Sequence, residues 1–153
     1  MPSPSQDPAA PCFTGAVCHK VEGKNRITIP SAWRFDEEVK LFMLPKSEKA
    51  CVSVMTRVQL DRIMADAEKI EVMIERSNFF DMIGADLREV TMDKGGRISL
   101  PEDFFPLLGL PAAREVWLVG SMRTFNIWSL QNFEAQKVVE AERKFALKQK
   151  LGI

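Results

Sequence analysis

The chain has 153 residues, of which 46% are apolar, and its 21 basic and 21 acidic side chains give a formal net charge of zero. This length predicts one compact domain or two small ones, and the apolar content is sufficient to build a core. No apolar run approaches the roughly 18 residues that a membrane span needs. A neutral chain has no global electrostatic attraction for nucleic acid, so any such attraction must be local.

Cysteine and histidine usage excludes several kinds of chemistry. Cys12, Cys18 and Cys51 are odd in number and form no Cys-x-x-Cys pair, so neither a disulfide framework nor a thiolate zinc site is indicated. His19 is the one histidine of the sequence, which excludes a multi-histidine metal site. The sequence also has no P-loop, dinucleotide fingerprint or nucleophile elbow. We therefore expect no enzyme, catalytic residue, cofactor, metal or small-molecule substrate, and the cytosol as the default compartment.

The first 12 residues are predicted to be a flexible leader. Residues 1–11, MPSPSQDPAAP, contain four of the nine prolines and show no apolar periodicity. Ordered sequence is predicted to begin near Phe13.

An internal repeat organises the rest of the chain. Residues 22–30 read EGKNRITIP and residues 93–101 read DKGGRISLP, at an offset of 71 positions. Two apolar strands follow each copy, and their predicted bounds are Leu41–Leu44 and Cys51–Met55 in the first half, and Val116–Val119 and Phe125–Trp128 in the second. We predict a first module over residues 13–80 and a second over residues 81–153. A half of this size buries only about 60% of its unfolded surface, so the two halves should share one core.

Each half is predicted to end in a helix. The first runs from about Arg57 to about Arg76, and the second from about Leu130 to the C-terminus. A hydroxyl residue, Thr56 or Ser129, precedes each helix and can accept a hydrogen bond from its first free backbone N–H groups.

The repeated motif predicts a tight turn between two strands. Asn25 and Gly96 occupy equivalent places, and both residue types tolerate a positive φ. The acidic residue of each copy, Glu22 or Asp93, lies four positions before an arginine and can pair with it across the turn. Two interpretations stay open: a structural turn closed by an ion pair, or a turn that projects its arginine towards a partner.

Local charge distinguishes the two copies. Between Val17 and Arg34, four cationic side chains outweigh Glu22, which gives a net charge of +3. The equivalent window from Arg88 to Phe105 has three cationic and four acidic side chains, a net charge of −1. Because phosphate affinity grows with the number of neutralising cations, the first copy is the better candidate for contact with DNA.

Three stretches together make a resemblance specific: FTGAVCHKVEGKNRITIPSAWR, MDKGGRISLPEDF and EVWLVGSMRTFNIW. In order and spacing they resemble the MraZ family of bacterial transcriptional regulators over about residues 13–133. That family carries two AbrB-type swapped-hairpin modules in one chain, each with an Asp-x-x-x-Arg signature. Glu22 stands here for the Asp and Asn25 for the usual Gly of the first signature, and Asn126 stands where the family tends to have Glu.

The resemblance implies an α+β fold, a mainly-β barrel made of two interleaved AbrB-like halves with helices outside. It also implies a nucleoid-associated repressor of the division and cell-wall gene cluster that binds repeated promoter sites on double-stranded DNA as a homo-oligomeric ring. Avidity in a ring would multiply a weak basic patch. The candidate DNA-binding residues are Lys20, Lys24, Arg26, Arg34, Lys94 and Arg97, and the motif-turn residues are Glu22, Asn25, Asp93 and Gly96. The alternative is an oligomeric scaffold with the same fold that does not bind DNA.

Other conspicuous residues have ordinary explanations beside functional ones. His19 could be a base or a plain strand residue. Trp117, Phe125 and Trp128 could stack on nucleic-acid bases, or pack in the core as residues of apolar strands. The basic C-terminal stretch RKFALKQK could be a second DNA contact or a solvated helix end.

Overall fold

The computed structural model describes residues 11–46, 48 and 50–153, and this part of the chain has the α+β class expected. Its strands are β1 Ala16–Lys20, β2 Arg26–Thr28, β3 Val39–Lys46, β4 Cys51–Met55, β5 Arg88–Met92, β6 Arg97–Ser99, β7 Glu115–Gly120 and β8 Phe125–Ser129. Its α-helices are α1 Arg57–Glu68, α2 Met73–Asp86, α3 Phe105–Leu108 and α4 Leu130–Leu151, with short 3-10 helices at Gly23–Asn25, Ser31–Trp33 and Glu102–Phe104.

The strands form two sheets. Six of them pair in the order β1-β7-β8-β4-β3-β5, and β2 pairs with β6 as a separate two-stranded ribbon. The six-stranded sheet is open, with β1 and β5 at its edges. The expected closed barrel is therefore not formed, because the two edge strands pair with neither each other nor the ribbon.

The halves of the repeat exchange strands. The first strand of the first half, β1, pairs with β7 of the second half, and β5 of the second half pairs with β3 of the first. At the centre of the sheet β4 pairs with β8, again one strand from each half. All these pairings are antiparallel, and each joins a strand of the first half to a strand of the second.

The main core lies between the six-stranded sheet and the ribbon, and it draws on both halves. Ile27 and Ile98 of the ribbon are buried there with strand residues such as Val52 and Ile127. Phe13, Trp33 and Phe125 meet in an aromatic cluster with ring centroids 5.2 to 5.9 Å apart. The two modules of the repeat thus share one core.

Helices cover the opposite face of the six-stranded sheet. Leu60 of α1 packs on Phe42 and Met55. The first turns of α4 bring Phe133 to 4.7 Å from Trp117 and 6.1 Å from Trp128, measured between ring centroids.

The helix boundaries agree with the predictions at the caps and differ in the middle of the chain. The Thr56 hydroxyl accepts from the N–H of Gln59 at 3.3 Å, and the Ser129 hydroxyl accepts from that of Asn132 at 3.1 Å. The prediction of one helix from Arg57 to Arg76 is wrong, because α1 ends at Glu68 and a separate α2 begins at Met73. The break lets Ile83 of α2 turn back into a buried position.

The start of the chain can be followed from Pro11, so the leader predicted over residues 1–12 lies almost entirely outside the described residues. Phe13 is 2% exposed and its backbone exchanges two hydrogen bonds with Met122. Gly120 makes this approach possible, since a Cβ there would lie 2.3 Å from the Phe13 carbonyl oxygen.

Candidate nucleic-acid interface

The two copies of the motif meet in the ribbon of β2 and β6. In its register Arg26 lies opposite Ser99, Ile27 opposite Ile98 and Thr28 opposite Arg97. Because side chains alternate between the faces of a strand, the two buried isoleucines place the other four on the outward face. Arg26 and Arg97, 71 positions apart in sequence, thus become diagonal neighbours on one face.

The first motif turn is held by its backbone. Glu22 and Arg26 exchange backbone hydrogen bonds of 2.8 and 3.3 Å around the turn Gly23–Asn25. Lys24 and Asn25 have φ angles of 64° and 59°, so two consecutive residues other than glycine adopt the left-handed conformation. Arg26 is half-buried, and within the described residues its side chain makes no ion pair and no hydrogen bond, so no bonded partner holds its guanidinium.

The second motif turn is held by side chains as well. Asp93 accepts the backbone N–H of Arg97 at 2.9 Å and the Nε of the same arginine at 3.1 Å. The backbone hydrogen bond is the main cause that lowers the pKa of Asp93 below its usual value, and the positive charge of Arg97 adds to it. Gly96 takes the left-handed place with a φ of 81°. The predicted ion pair therefore forms in this copy.

Arg34 links the first half to the second turn. Its Nε donates to the carbonyl oxygen of Ile29 at 2.9 Å, and a Cβ on Gly96 would come within 2.2 Å of the same Nε. The N–H of Ile29 in turn donates to the Gly96 carbonyl at 2.7 Å. Arg34 was predicted as a DNA contact, and the structure places it against the second turn.

The first turn has a different neighbour at the equivalent place. Phe105 stands 71 positions after Arg34 and, with Leu110 and Arg114, faces Lys24 and Asn25 across a cavity of about 180 Å³. An apolar ring and a cavity thus lie where the second turn has a hydrogen-bonded guanidinium.

The remaining predicted cations lie in the two motif turns and on the edge strand β1. Lys24 and Lys94 are exposed in the two turns, which lie at opposite ends of the ribbon because its strands are antiparallel. Lys20 is the last residue of β1 and lies opposite Glu115, so it belongs to the edge of the large sheet. The ribbon therefore collects four of the six predicted DNA-binding residues: Lys24, Arg26, Lys94 and Arg97.

Thr28 and Ser99 also lie on this face, and they were not among the residues predicted to bind DNA. They fill the places between the two arginines and offer hydroxyl groups to a partner. The alternation of ITI and ISL puts Thr28 and Ser99 on the same face as the arginines once the two short strands are known to pair with each other. The sequence alone did not predict that pairing.

The other candidate residues are engaged within the fold. The Nδ1 of His19 contacts the Lys20 carbonyl oxygen at 2.8 Å. Phe125 and Trp128 are 1% and 6% exposed, so they pack rather than stack on a ligand. The Cys18 thiol donates to Glu115 at 2.9 Å, and burial with this hydrogen bond raises its pKa to about 11, which keeps the thiol protonated at neutral pH.

Two other kinds of site are absent from the described part of the chain. No cluster of three or more His, Cys, Asp or Glu residues there could hold a metal ion. None of the helices described is long and apolar enough to cross a membrane.

The sequence is similar to one family of known proteins. The family model described as "MraZ protein, putative antitoxin-like" matches residues 84–150. A protein named transcriptional regulator MraZ from Rickettsia rickettsii is 26% identical over 146 residues, covering 92% of this chain and 95% of the relative. The chain is thus similar to the MraZ proteins over most of its length. Two further proteins of that name are each 27% identical: one from Caldicellulosiruptor saccharolyticus (83% of this chain, 87% of the relative) and one from Corynebacterium kroppenstedtii (88% and 92%).

The MraZ relatives extend the match beyond the family model. The family model begins at Gly84 and so covers the second half, whereas the relatives cover most of both halves. The resemblance predicted from the repeated motif is thereby confirmed.

Proposed function

We propose that this protein is a transcriptional repressor that binds double-stranded promoter DNA through the outward face of the β2–β6 ribbon. One observation carries the proposal: the ribbon brings Arg26 and Arg97 of the two motif copies onto one outward face. A two-stranded antiparallel ribbon is one of the two elements that fit the major groove of B-DNA. Arginines on such a ribbon can reach phosphates and base edges.

The charges at the ends of the ribbon favour the same interpretation. Lys24 and Lys94 extend the basic character of the face beyond the arginines at either end. The Arg26 side chain has no hydrogen-bond or ion-pair partner among the described residues, whereas the Arg97 side chain is held by Asp93. The first copy therefore supplies the stronger contact and the second copy supports the ribbon.

The MraZ relatives support a role in transcription, because they are named transcriptional regulators. We assign that role to this chain and propose that it acts in the cytoplasm, associated with the nucleoid. We propose the division and cell-wall gene cluster, including the gene of this protein, as its target. The exchange of β1 and β5 between the halves supports the swapped-hairpin modules of that family.

We further propose that copies of the chain assemble into a ring on repeated promoter sites. One ribbon offers few cations and would bind DNA weakly. Linked ribbons on repeated sites convert later contacts into intramolecular ones, which raises the overall affinity without new contacts.

The test is a gel shift with the DNA upstream of the protein's own gene, carried out across a series of salt concentrations. Specific binding should exceed binding to a shuffled fragment of equal length, and the logarithm of the affinity should fall linearly with the logarithm of the salt concentration. Normal assembly without any DNA binding would contradict the proposal and support the oligomeric scaffold instead.

A further inference from the structure

The last part of α4 extends away from the body of the protein. Phe133 and Glu140 are half-buried, whereas every residue from Ala141 onwards is exposed. Six large apolar side chains are exposed between 52% and 79% in this region: Val138, Val139, Phe145, Leu147, Leu151 and Ile153. Apolar residues on several sides of a helix are typical of a helix that another surface covers.

Residues 141–153, which we name the tail, are basic. Four cationic side chains and Glu142 give them a net side-chain charge of +3. At 100° per residue, Leu147 and Leu151 lie on one side of the helix, with Lys144 and Lys148 along one flank of that row. Those two lysines form no ion pair with any residue that the structure describes.

An acidic counterpart lies on α2. Residues 71–86 contain four acidic side chains and Arg76, a net charge of −3. Ile74, Asn78 and Met82 follow one another at intervals of four residues and form an exposed row, and Ile74 and Met82 are 65% and 50% exposed. We call this row, with its flanking carboxylates Glu75, Asp81 and Asp86, the α2 face.

The charges of the α2 face are open to a partner. Its carboxylates have no ion-pair partner in the described structure, and Arg76 is turned aside to donate to the Ile70 carbonyl at 2.9 Å. Like the tail, the α2 face thus combines exposed apolar side chains with charged side chains beside them, and its charge is of the opposite sign.

We propose that the tail of one copy docks along the α2 face of a second copy. The inference rests on the homo-oligomer of the proposed function and assigns the surfaces that join its subunits. The net charges indicate which surfaces meet. Two tails, each of charge +3, would repel each other, whereas a tail of charge +3 and an α2 face of charge −3 attract. A contact between two different surfaces repeats head to tail, and it closes into a ring when the rotation between subunits permits.

The experiment uses charge reversal with cross-rescue on the full chain. One variant carries Lys144→Glu and Lys148→Glu, which brings the tail to −1, and the other carries Glu75→Lys and Asp81→Lys, which brings the α2 face to +1. We expect light scattering to show wild-type particles at a multiple of 17.3 kDa and each variant near 17.3 kDa. Glu37→Lys with Glu38→Lys, a reversal of two exposed loop residues outside both surfaces, should assemble as the wild type does.

Mixing the two reversed variants separates a lost contact from misfolding. In the mixture each tail can meet an α2 face of opposite charge, so particles containing both variants should form again. Assembly of either variant alone at wild-type mass, or an equimolar mixture that stays near 17.3 kDa, would overturn the proposed contact while leaving the DNA-binding proposal standing. A wild-type protein that is itself monomeric would contradict the ring as well.

Discussion

The two motif turns carry the same arginine in different surroundings. In the second turn, Asp93 holds Arg97 and the side chain of Arg34 lies over Gly96. In the first turn, the Arg26 guanidinium makes no contact of this kind within the described structure, and the turn residues Lys24 and Asn25 are both left-handed. In this duplicated motif, the arginine of the second copy thus stabilises its own turn, whereas the arginine of the first copy has no such bond.

Backbone strain also differs between the two turns, and the first turn has more of it. A left-handed conformation is costly for most residues other than glycine and asparagine, and in the first turn Lys24 adopts it directly before Asn25. Such strain persists where the surrounding structure enforces it, and it clusters at sites of function. Positive φ also occurs at Ala50 and Met122, so the case for a functional first turn rests on Arg26 and not on this strain alone.

The largest expected effect separates the two arginines. Arg26→Ala should weaken operator binding by at least about tenfold, since one arginine contact to DNA is worth about 1–3 kcal/mol and an oligomer repeats the loss in each subunit. Arg97→Ala should weaken it less, because that guanidinium is already held by Asp93. Gel-shift affinity at fixed salt measures both, and Arg123→Ala, at an exposed arginine away from the ribbon, serves as the control.

The same two variants should change stability very little. Arg97→Ala removes an exposed ion pair worth about 0–1 kcal/mol, and Arg26→Ala removes none. Thermal melting and particle mass would reveal any hidden structural role. Normal operator binding by Arg26→Ala with complete loss in Arg97→Ala would reverse the assignment of the copies.

The next prediction concerns two left-handed turn residues, Gly96 and Asn25. Gly96→Ala should destabilise the fold by about 2 kcal/mol, because the left-handed φ costs about 1 kcal/mol and displacement of Arg34 from the Ile29 carbonyl costs a similar amount. Asn25→Gly, the matched change in the first turn, should alter stability by less than about 1 kcal/mol. Denaturant unfolding measures both free energies.

A double-mutant comparison isolates the contribution of Arg34. In an Arg34→Ala background, Gly96→Ala should cost only the conformational part, about 1 kcal/mol. An unchanged cost in both backgrounds would mean that Arg34 does not restrict the second turn.

A smaller effect concerns Arg34 itself. Arg34→Met keeps most of the apolar stem but removes the hydrogen bond to Ile29, so it should cost about 1 kcal/mol of stability. Operator binding should fall less than in Arg26→Ala, since the guanidinium is engaged at the second turn. A loss of affinity as large as that of Arg26→Ala would restore Arg34 to the set of DNA contacts.

Sequence patterns predicted the local features well, because these depend on neighbouring residues. The left-handed places of Asn25 and Gly96 followed from the aligned repeat, and the caps Thr56 and Ser129 from residue type. The break between α1 and α2 did not follow, since residues 69–72 contain neither glycine nor proline and the apolar spacing continues through them.

The repeat predicted that the halves share one core, but the individual side-chain contacts between them were beyond sequence reasoning. Counting charges placed Arg34 with the DNA-binding residues, and only the pairing of β2 with β6 shows that its side chain reaches Gly96 of the other copy. Whether the sheet closes into a barrel likewise depends on what its edge strands β1 and β5 pair with. No local sequence pattern describes that pairing.

The smallest expected effect is the acid sensitivity of the second turn. Because folding lowers the pKa of Asp93 from its usual 3.8, its carboxylate stabilises the fold at pH values above 3.8, and this contribution is lost as the pH falls through the lower folded-state pKa. Asp93→Asn should remove this part of the pH dependence of the free energy of unfolding, followed by denaturant titrations between pH 5 and pH 2. Arg97→Ala should retain most of it, because the main cause is the backbone N–H of residue 97, which the substitution preserves. If Arg97→Ala removed the pH dependence as fully as Asp93→Asn, the charge of the guanidinium, rather than the geometry of the turn, would hold the second copy in place.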